Sequence, residues 1–295
     1  MNDRLITASV LERFRMYLIE NEKSPATIEK YLRDVRHFAS RMTGEPITKQ
    51  TVIDYKTHLG AEYATASANS MLASLNALFR FMGWMDLCVK QFKVQHHAYT
   101  PEEKELSKAE YERLVSTAKQ NGNERLHLII QTICATGIRV SELPYITVEA
   151  LQRGEATVRC KGKTRVVFIV KELRSLLLRY AKQRSIMAGP VFVTRSGKPI
   201  SRTAIWRDMK ALCHQAGVAP QKVFPHNLRH LFARTFYGIE KDIAKLADIL
   251  GHSSINTTRI YIATTGAEHR RRMEGMHLLV SQKKKPAFAA AGLMT

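Results

Sequence analysis

Four short stretches of this 295-residue chain gather side chains suited to phosphoryl chemistry. The first is Ala135-Thr136-Gly137-Ile138-Arg139-Val140-Ser141-Glu142-Leu143, where a glycine ends one helix and an arginine opens the next. The second is Lys161-Gly162-Lys163-Thr164, set between two β-branched runs. The third is His226-Asn227-Leu228-Arg229-His230, entered through Phe224-Pro225. The fourth is Gly251-His252-Ser253-Ser254 followed by Arg259-Ile260-Tyr261, so that His252 stands nine residues before Tyr261. Two arginines offer planar N–H donors to the non-bridging oxygens of a phosphodiester. Lysine and histidine move protons, and a tyrosine hydroxyl can act as a covalent nucleophile. Phosphoryl transfer without a metal needs cationic side chains against the charge of a five-coordinate transition state, and this set supplies them. No carboxylate cluster suited to magnesium and no glycine-rich phosphate loop is present, so neither a metal nor a cofactor is expected.

Each residue taken singly has a plainer reading. Arginines are mostly surface residues, and a lone tyrosine is most often half-buried packing. His226 and His230 are four apart, as in a zinc pair, but Asn-Leu-Arg stands between them where a zinc protease has its glutamate. Glu142 reads as a support for Arg139 from behind or as surface charge. The argument for chemistry rests on the combination.

The elements that must position these residues follow from periodicity. Val10, Leu11, Phe14, Tyr17 and Leu18 form one apolar stripe at helical spacing. Ser24-Pro25 caps a second helix carrying Ile28, Tyr31, Leu32, Val35 and Phe38. Thr48 can cap a third, with Val52, Tyr55 and Leu59, and a fourth carries Met71, Leu72, Leu75, Leu78, Phe79 and Met82 before Gly83 ends it. The spacing marks these aromatics as core rather than a base-stacking platform. Residues 90–105 hold no sustained period and read as a linker. Ser107 to Glu110 is a capping box for the next helix. Beyond it the spacing predicts a helix over 123–134, a hairpin of 156–160 and 165–170 with a basic tip, and a short strand at 191–193. Helices are predicted over 171–184, 202–215, 227–237 and 241–250. The tail from 282 is basic, then small-residue, and reads as disordered.

Composition sets the class of partner. Lys and Arg number 46 against 26 Asp and Glu, a formal net charge of +20. An excess of that size points to a polyanion, nucleic acid above all. The four cysteines form no C-x-x-C and suit a reducing cytosol. No signal peptide and no apolar run of membrane-spanning length is legible, so no membrane partner is expected.

The ordered set of motifs resembles the tyrosine recombinases, or phage-type integrases, of the Xer-like simple subgroup. The Ala135–Leu143 block, His226-Asn227-Leu228-Arg229-His230, and Leu250-Gly251-His252-Ser253-Ser254 followed by Tyr261-Ile262 carry the likeness. It covers nearly the whole chain. The resemblance implies a mainly α fold with a small β-sheet (α+β), closing on DNA as a C-shaped clamp. It divides the chain into a helical, SAM-like core-site-binding domain at 1–89, a linker at 90–105, a catalytic domain at 106–281 and a tail at 282–295. It gives Arg139 and Arg229 the scissile phosphate, Lys161 the protonation of the departing 5′ oxygen, His226 a general-base or hydrogen-bonding role, and His252 a further phosphate contact. Tyr261 becomes the nucleophile. Lys163 shares the hairpin tip, and Lys161 is preferred because Lys-Gly after a strand suits the family hairpin.

The implied activity is site-specific recombination (integration, excision or resolution) through a 3′-phosphotyrosine intermediate and a Holliday junction. The implied partners are double-stranded DNA with inverted-repeat core sites and a homotetramer on two such sites, joined through the C-terminal helix at 266–280 unless that amphipathic helix packs back on its own domain. The implied setting is cytoplasmic and nucleoid-associated, with a bacterial, phage or mobile-element origin. Two alternatives share the motifs: relaxation of DNA in the manner of a type IB topoisomerase, and a catalytically silent DNA-binding accessory protein.

Overall fold

The computed structural model describes residues 4–42, 44–94, 102–160, 163–262, 270–271 and 273–276. The chain divides into two compact units, Met1–His96 and His97–Thr295.

Among the described residues the first unit has four α-helices: α1 (Ala8–Glu20), α2 (Pro25–Ala39), α3 (Lys49–Glu62) and α4 (Thr65–Phe81). Their starts are fixed locally. Ser24 accepts a hydrogen bond from the Thr27 N–H with Pro25 at the first helical position, and Thr48 forms a reciprocal capping box with Thr51. Gly83, in the left-handed region at φ 73°, turns the chain out of α4. The stripes meet in one core of Phe14, Leu32, Phe38, Leu59, Leu75 and Phe79, all essentially without exposure. Tyr55 is buried edge-on against Phe38 at 4.9 Å, so its ring packs inside the unit as the spacing predicts. The start of the expected linker is tied to this unit: the Asn76 amide bonds both backbone groups of Val89, and Asn69 does the same for Phe92.

The second unit begins with α5 (Lys108–Gln120), opened by the Ser107–Glu110 capping box. The central helix is α6 (Glu124–Thr136), with Ile129, Ile130 and Ile133 fully buried. A 3-10 turn (Val140–Tyr145) and α7 (Val148–Arg153) lead into an antiparallel pair, β1 (Glu155–Cys160) and β2 (Lys163–Phe168). Then come α8 (Lys171–Gln183), α9 (Arg202–Leu212), α10 (Pro225–Glu240), α11 (Ile243–Leu250) and α12 (Ile255–Tyr261). A small separate cluster of Ala233, Leu246, Leu250 and Tyr261 holds the last three helices together. No helix among the described residues is long and apolar enough to cross a membrane.

Several boundaries differ from the periodic reading, each for a local reason. The strands pair Cys160 with Lys163 and Arg159 with Thr164, which leaves only Lys161 and Gly162 between them. Residues 191–193 form no strand. Single bridges pair Thr147 with Pro190 and Val193 with Pro199, and a proline has no N–H to extend a ladder. Helix α10 starts two residues early because Pro225 suits its first position. Lys241 is the left-handed residue ending α10, and Asp242 then caps α11 through the Ala244 and Lys245 N–H groups, so α11 begins at Ile243. Helix α9 stops at Leu212, before a turn that reaches Gly217 at φ 59°.

Candidate active site

Helix α6 ends on Gly137 at φ 62°, and a Cβ there would lie 2.5 Å from the Phe232 ring. Only glycine lets the chain turn this tightly against α10. The turn buries Ile138 and delivers Arg139 to the N-cap of the 3-10 turn. The Arg139 backbone N–H and Nη1 both donate to the Glu142 carboxylate at 2.9 Å, and Nη2 reaches the Gly251 carbonyl at 3.3 Å. Its side chain remains about one-third exposed, at 34%.

Arg229 projects from α10 and is 1% exposed. Its Nη1 donates to the Gly137 carbonyl, and its Nη2 donates to the Leu250 carbonyl at 2.6 Å and to His252 Nε2 at 3.0 Å. Burial, with Arg139 nearby, pushes its pKa down to about 10, so it stays charged at neutral pH. A guanidinium only donates, so His252 Nε2 is the acceptor and the imidazole proton sits on Nδ1. That proton meets Thr258 Oγ1 at 2.9 Å, on a threonine with no exposure.

Tyr261 closes α12 at 6% exposure. Its ring stacks on His230 with centroids 4.1 Å apart and planes 16° apart, and lies 4.9 Å from the His252 ring. Its hydroxyl is 3.5 Å from His226 Nδ1, and the Arg229 guanidinium carbon is 5.8 Å from the ring centre. His226 is exposed on its other side. There a cleft of about 490 Å³ opens, lined by Val140, Arg202, Trp206, Phe224 and His226.

Arg139, His226, Arg229, His252 and Tyr261 are therefore brought together. Lys161 lies outside the described residues, as does most of the expected C-terminal helix at 266–280 and all of the tail from 282. Three neighbours were not singled out for these roles by sequence reasoning: Thr258, His230 as the shelf under Tyr261, and Arg165. Arg165 sits on the inward face of β2 beside buried Val167, while Val166 and Phe168 point outward. An arginine on an inward face is a signal, but with Val166, Val167 and Phe168 all apolar the sequence does not say which face is inward.

Burial and the arginines keep the histidines neutral. Burial first, then His226 and Arg229, brings His230 down to about 4. Burial and the Arg229, Arg139 and Arg165 guanidiniums bring His252 to about 4 as well, and His226 is lowered by burial, Arg229 and Arg139. A histidine with a depressed folded pKa binds fewer protons folded than unfolded. Its stabilising contribution is complete above the ordinary value of 6.5 and is lost as pH falls toward about 4. The thermal unfolding temperature should therefore fall between pH 7 and pH 5, and His230→Phe, which keeps a ring under Tyr261, should flatten that fall. A profile already flat in the unmodified protein would contradict neutral histidines.

Comparison with known proteins gives two matches to family descriptions. Residues 104–268 match the phage integrase family, and residues 11–85 match the phage integrase N-terminal SAM-like domain. The chain is 32% identical over 281 residues to tyrosine recombinase XerA of Thermococcus kodakarensis, covering 92% of this chain and 96% of that protein. A crystal structure of XerA recombinase superposes with a TM-score of 0.53 at 27% identity, covering 92% of this chain and 99% of the other. XerH site-specific recombinase bound to its difH substrate, before cleavage, gives a TM-score of 0.66 over 93% of this chain and 91% of the other. At 18% identity, XerH shares the fold.

Proposed function

The chain belongs to the phage integrase family, and from that premise we propose that it is a site-specific tyrosine recombinase whose catalytic set is Arg139, Lys161, His226, Arg229, His252 and Tyr261. The observation that carries the reading is the Tyr261 hydroxyl 3.5 Å from His226 Nδ1, beside two arginines that converge on one turn.

In the proposed step, the Tyr261 hydroxyl oxygen bonds to the scissile phosphorus and the bond from phosphorus to the 5′ oxygen breaks. His226 accepts or orients the phenolic proton. Lys161 gives a proton to the departing 5′ oxygen, leaving a 5′ hydroxyl and a 3′-phosphotyrosine. Arg139 and Arg229 take the non-bridging oxygens, whose charge grows in the transition state, and His252 supplies a further donor. For His252 this requires the phosphate to take the place of its Arg229 contact, so that a proton can reside on Nε2. Attack of a 5′ hydroxyl from a second duplex reverses the chemistry and completes strand transfer.

The partner in this proposal is double-stranded DNA with inverted-repeat core sites. Residues 1–89 form the core-site-binding domain and 106–281 the catalytic domain. Four copies assemble on two sites through the segment at 266–280, in the cytoplasm. The DNA substrate is supported by the net charge of +20 and by the family.

The test is covalent capture. A nicked cognate duplex incubated with the protein in excess chelator should give a denaturation-resistant adduct, with the modified peptide containing Tyr261. An adduct mapping to another residue, or one that forms only when magnesium is restored, would overturn the assignment.

A further inference from the structure

Arg165, on β2, is outside the set assigned above, yet it bridges the elements that set carries. Its side chain is 12% exposed, and its Nη2 donates to Glu142 Oε2 at 2.6 Å. Its Nη1 donates to the Ile249 carbonyl at 2.7 Å. Glu142 is 2% exposed and accepts from Arg139 as well, so one buried carboxylate is divided between two arginines from different elements. The end of α11 shows the same sharing. The carbonyls of Ile249, Leu250 and Gly251, consecutive in sequence, accept from Arg165, Arg229 and Arg139 in that order.

Three guanidiniums this close repel one another. The negative end of a helix and a buried carboxylate are what offset that repulsion here. Burial alone would raise the Glu142 carboxyl, but the Arg139 N–H and the two guanidiniums outweigh it and hold it below the ordinary glutamate value. Gly251 completes the fit. It is left-handed at φ 63°, and a Cβ there would lie 2.4 Å from Arg165 Cδ. Glycine at this point lets the Arg165 stem pass beneath the turn that presents His252.

We infer that Arg165 is a positioning residue for strand cleavage: it fixes Glu142 and the C-terminal turn of α11 in the register that aims Arg139, Arg229 and His252 at a single phosphate. The inference rests on the phosphate-clamp role proposed for those residues. Without Arg165, the whole Glu142 charge bears on Arg139 and holds it back from DNA, and the α11 terminus loses one of its three anchors. The deficit then appears in the chemical step and not in duplex binding.

The experiment compares single-turnover cleavage of an ordinary duplex with cleavage of one carrying a methylphosphonate at the scissile position. A methyl group there replaces one charged oxygen and removes the charge the clamp must neutralise. Arg165→Gln should bind duplex as the unmodified protein does and cleave the phosphodiester about 10²-fold more slowly, the scale of losing one preorganised donor. On the methylphosphonate its rate should return to that of the unmodified protein on the same substrate. Arg165→Lys should be intermediate, because one ammonium cannot serve Glu142 and Ile249 together as a planar fork does. It carries the same comparison if Arg165→Gln fails to fold. Equal losses on both substrates, or a loss matched by weaker binding, would make Arg165 a structural residue only and overturn the inference. Arg139→Ala is the control: if it is not recovered on the methylphosphonate, the clamp reading itself falls.

Discussion

Tyr261→Phe should form no covalent adduct with any nicked site while binding duplex DNA as the unmodified protein does. The substitution removes one oxygen, whose neighbour is His226 at 3.5 Å. The ring keeps its stack on His230 and its packing against Ala233, Leu246 and Leu250. Loss of so long a contact costs about 1 kcal/mol of stability or less. Loss of a nucleophile costs on the order of 10⁶ in rate, which places cleavage beneath detection. Denaturing gels of a nicked substrate, read beside a mobility-shift assay on the same DNA, separate the two effects. An adduct formed by the phenylalanine variant would remove Tyr261 from the mechanism.

Arg229→Lys should be costly twice over. The guanidinium serves the Gly137 carbonyl, the Leu250 carbonyl and His252 from a position 1% exposed. An ammonium at that depth reaches one of these partners, leaving buried carbonyls unpaired and a charge poorly compensated. The expected loss of stability is about 3 kcal/mol, typical of breaking a buried charged network. The expected loss of cleavage is about 10³-fold, because one donor to the developing phosphate charge disappears. Arg139→Lys is the natural contrast. Its side chain is 34% exposed, so it should lose comparable activity with little change in stability. Urea denaturation beside single-turnover cleavage decides the matter, and full activity in Arg229→Lys would exclude a clamp role for that residue.

Much of this was legible in sequence because it is local. Ser24, Thr48 and Ser107 announce helix starts through hydrogen bonds made within three residues. Gly137 and Gly251 mark turns where a Cβ would collide with Phe232 and Arg165. The motifs carrying Arg139, His226, Arg229, His252 and Tyr261 are short enough to be recognised in order, and the fold brings those five together. What was not legible depends on partners far apart in the chain. The ends of α9, α10 and α11 depart from the apolar periodicity because proline, aspartate and left-handed residues outrank an apolar stripe that runs past them. The expected strand at 191–193 does not form, because the bridges at its two ends engage Pro190 and Pro199, which have no N–H to extend a ladder. The place of Arg165 depends on β2 lying against α11, where its partner Ile249 is 84 residues later in the chain. Thr258 gains its meaning from His252, and His230 from the ring of Tyr261 lying on it.

The acceptors at the end of α11 are backbone atoms, and no codon change at 249 or 250 can delete them. What can delete them is a change in chain length. Each residue of an α-helix turns the chain by about 100° and advances it about 1.5 Å. One residue added or lost between the Asp242 cap and Gly251 would swing the Ile249, Leu250 and Gly251 carbonyls away from all three arginines at once. This stretch can therefore drift in side-chain identity, provided its buried leucines stay apolar, while its length is held rigid. Its interval behaves as a ruler, and the hereditary information it protects is a count of residues more than a spelling.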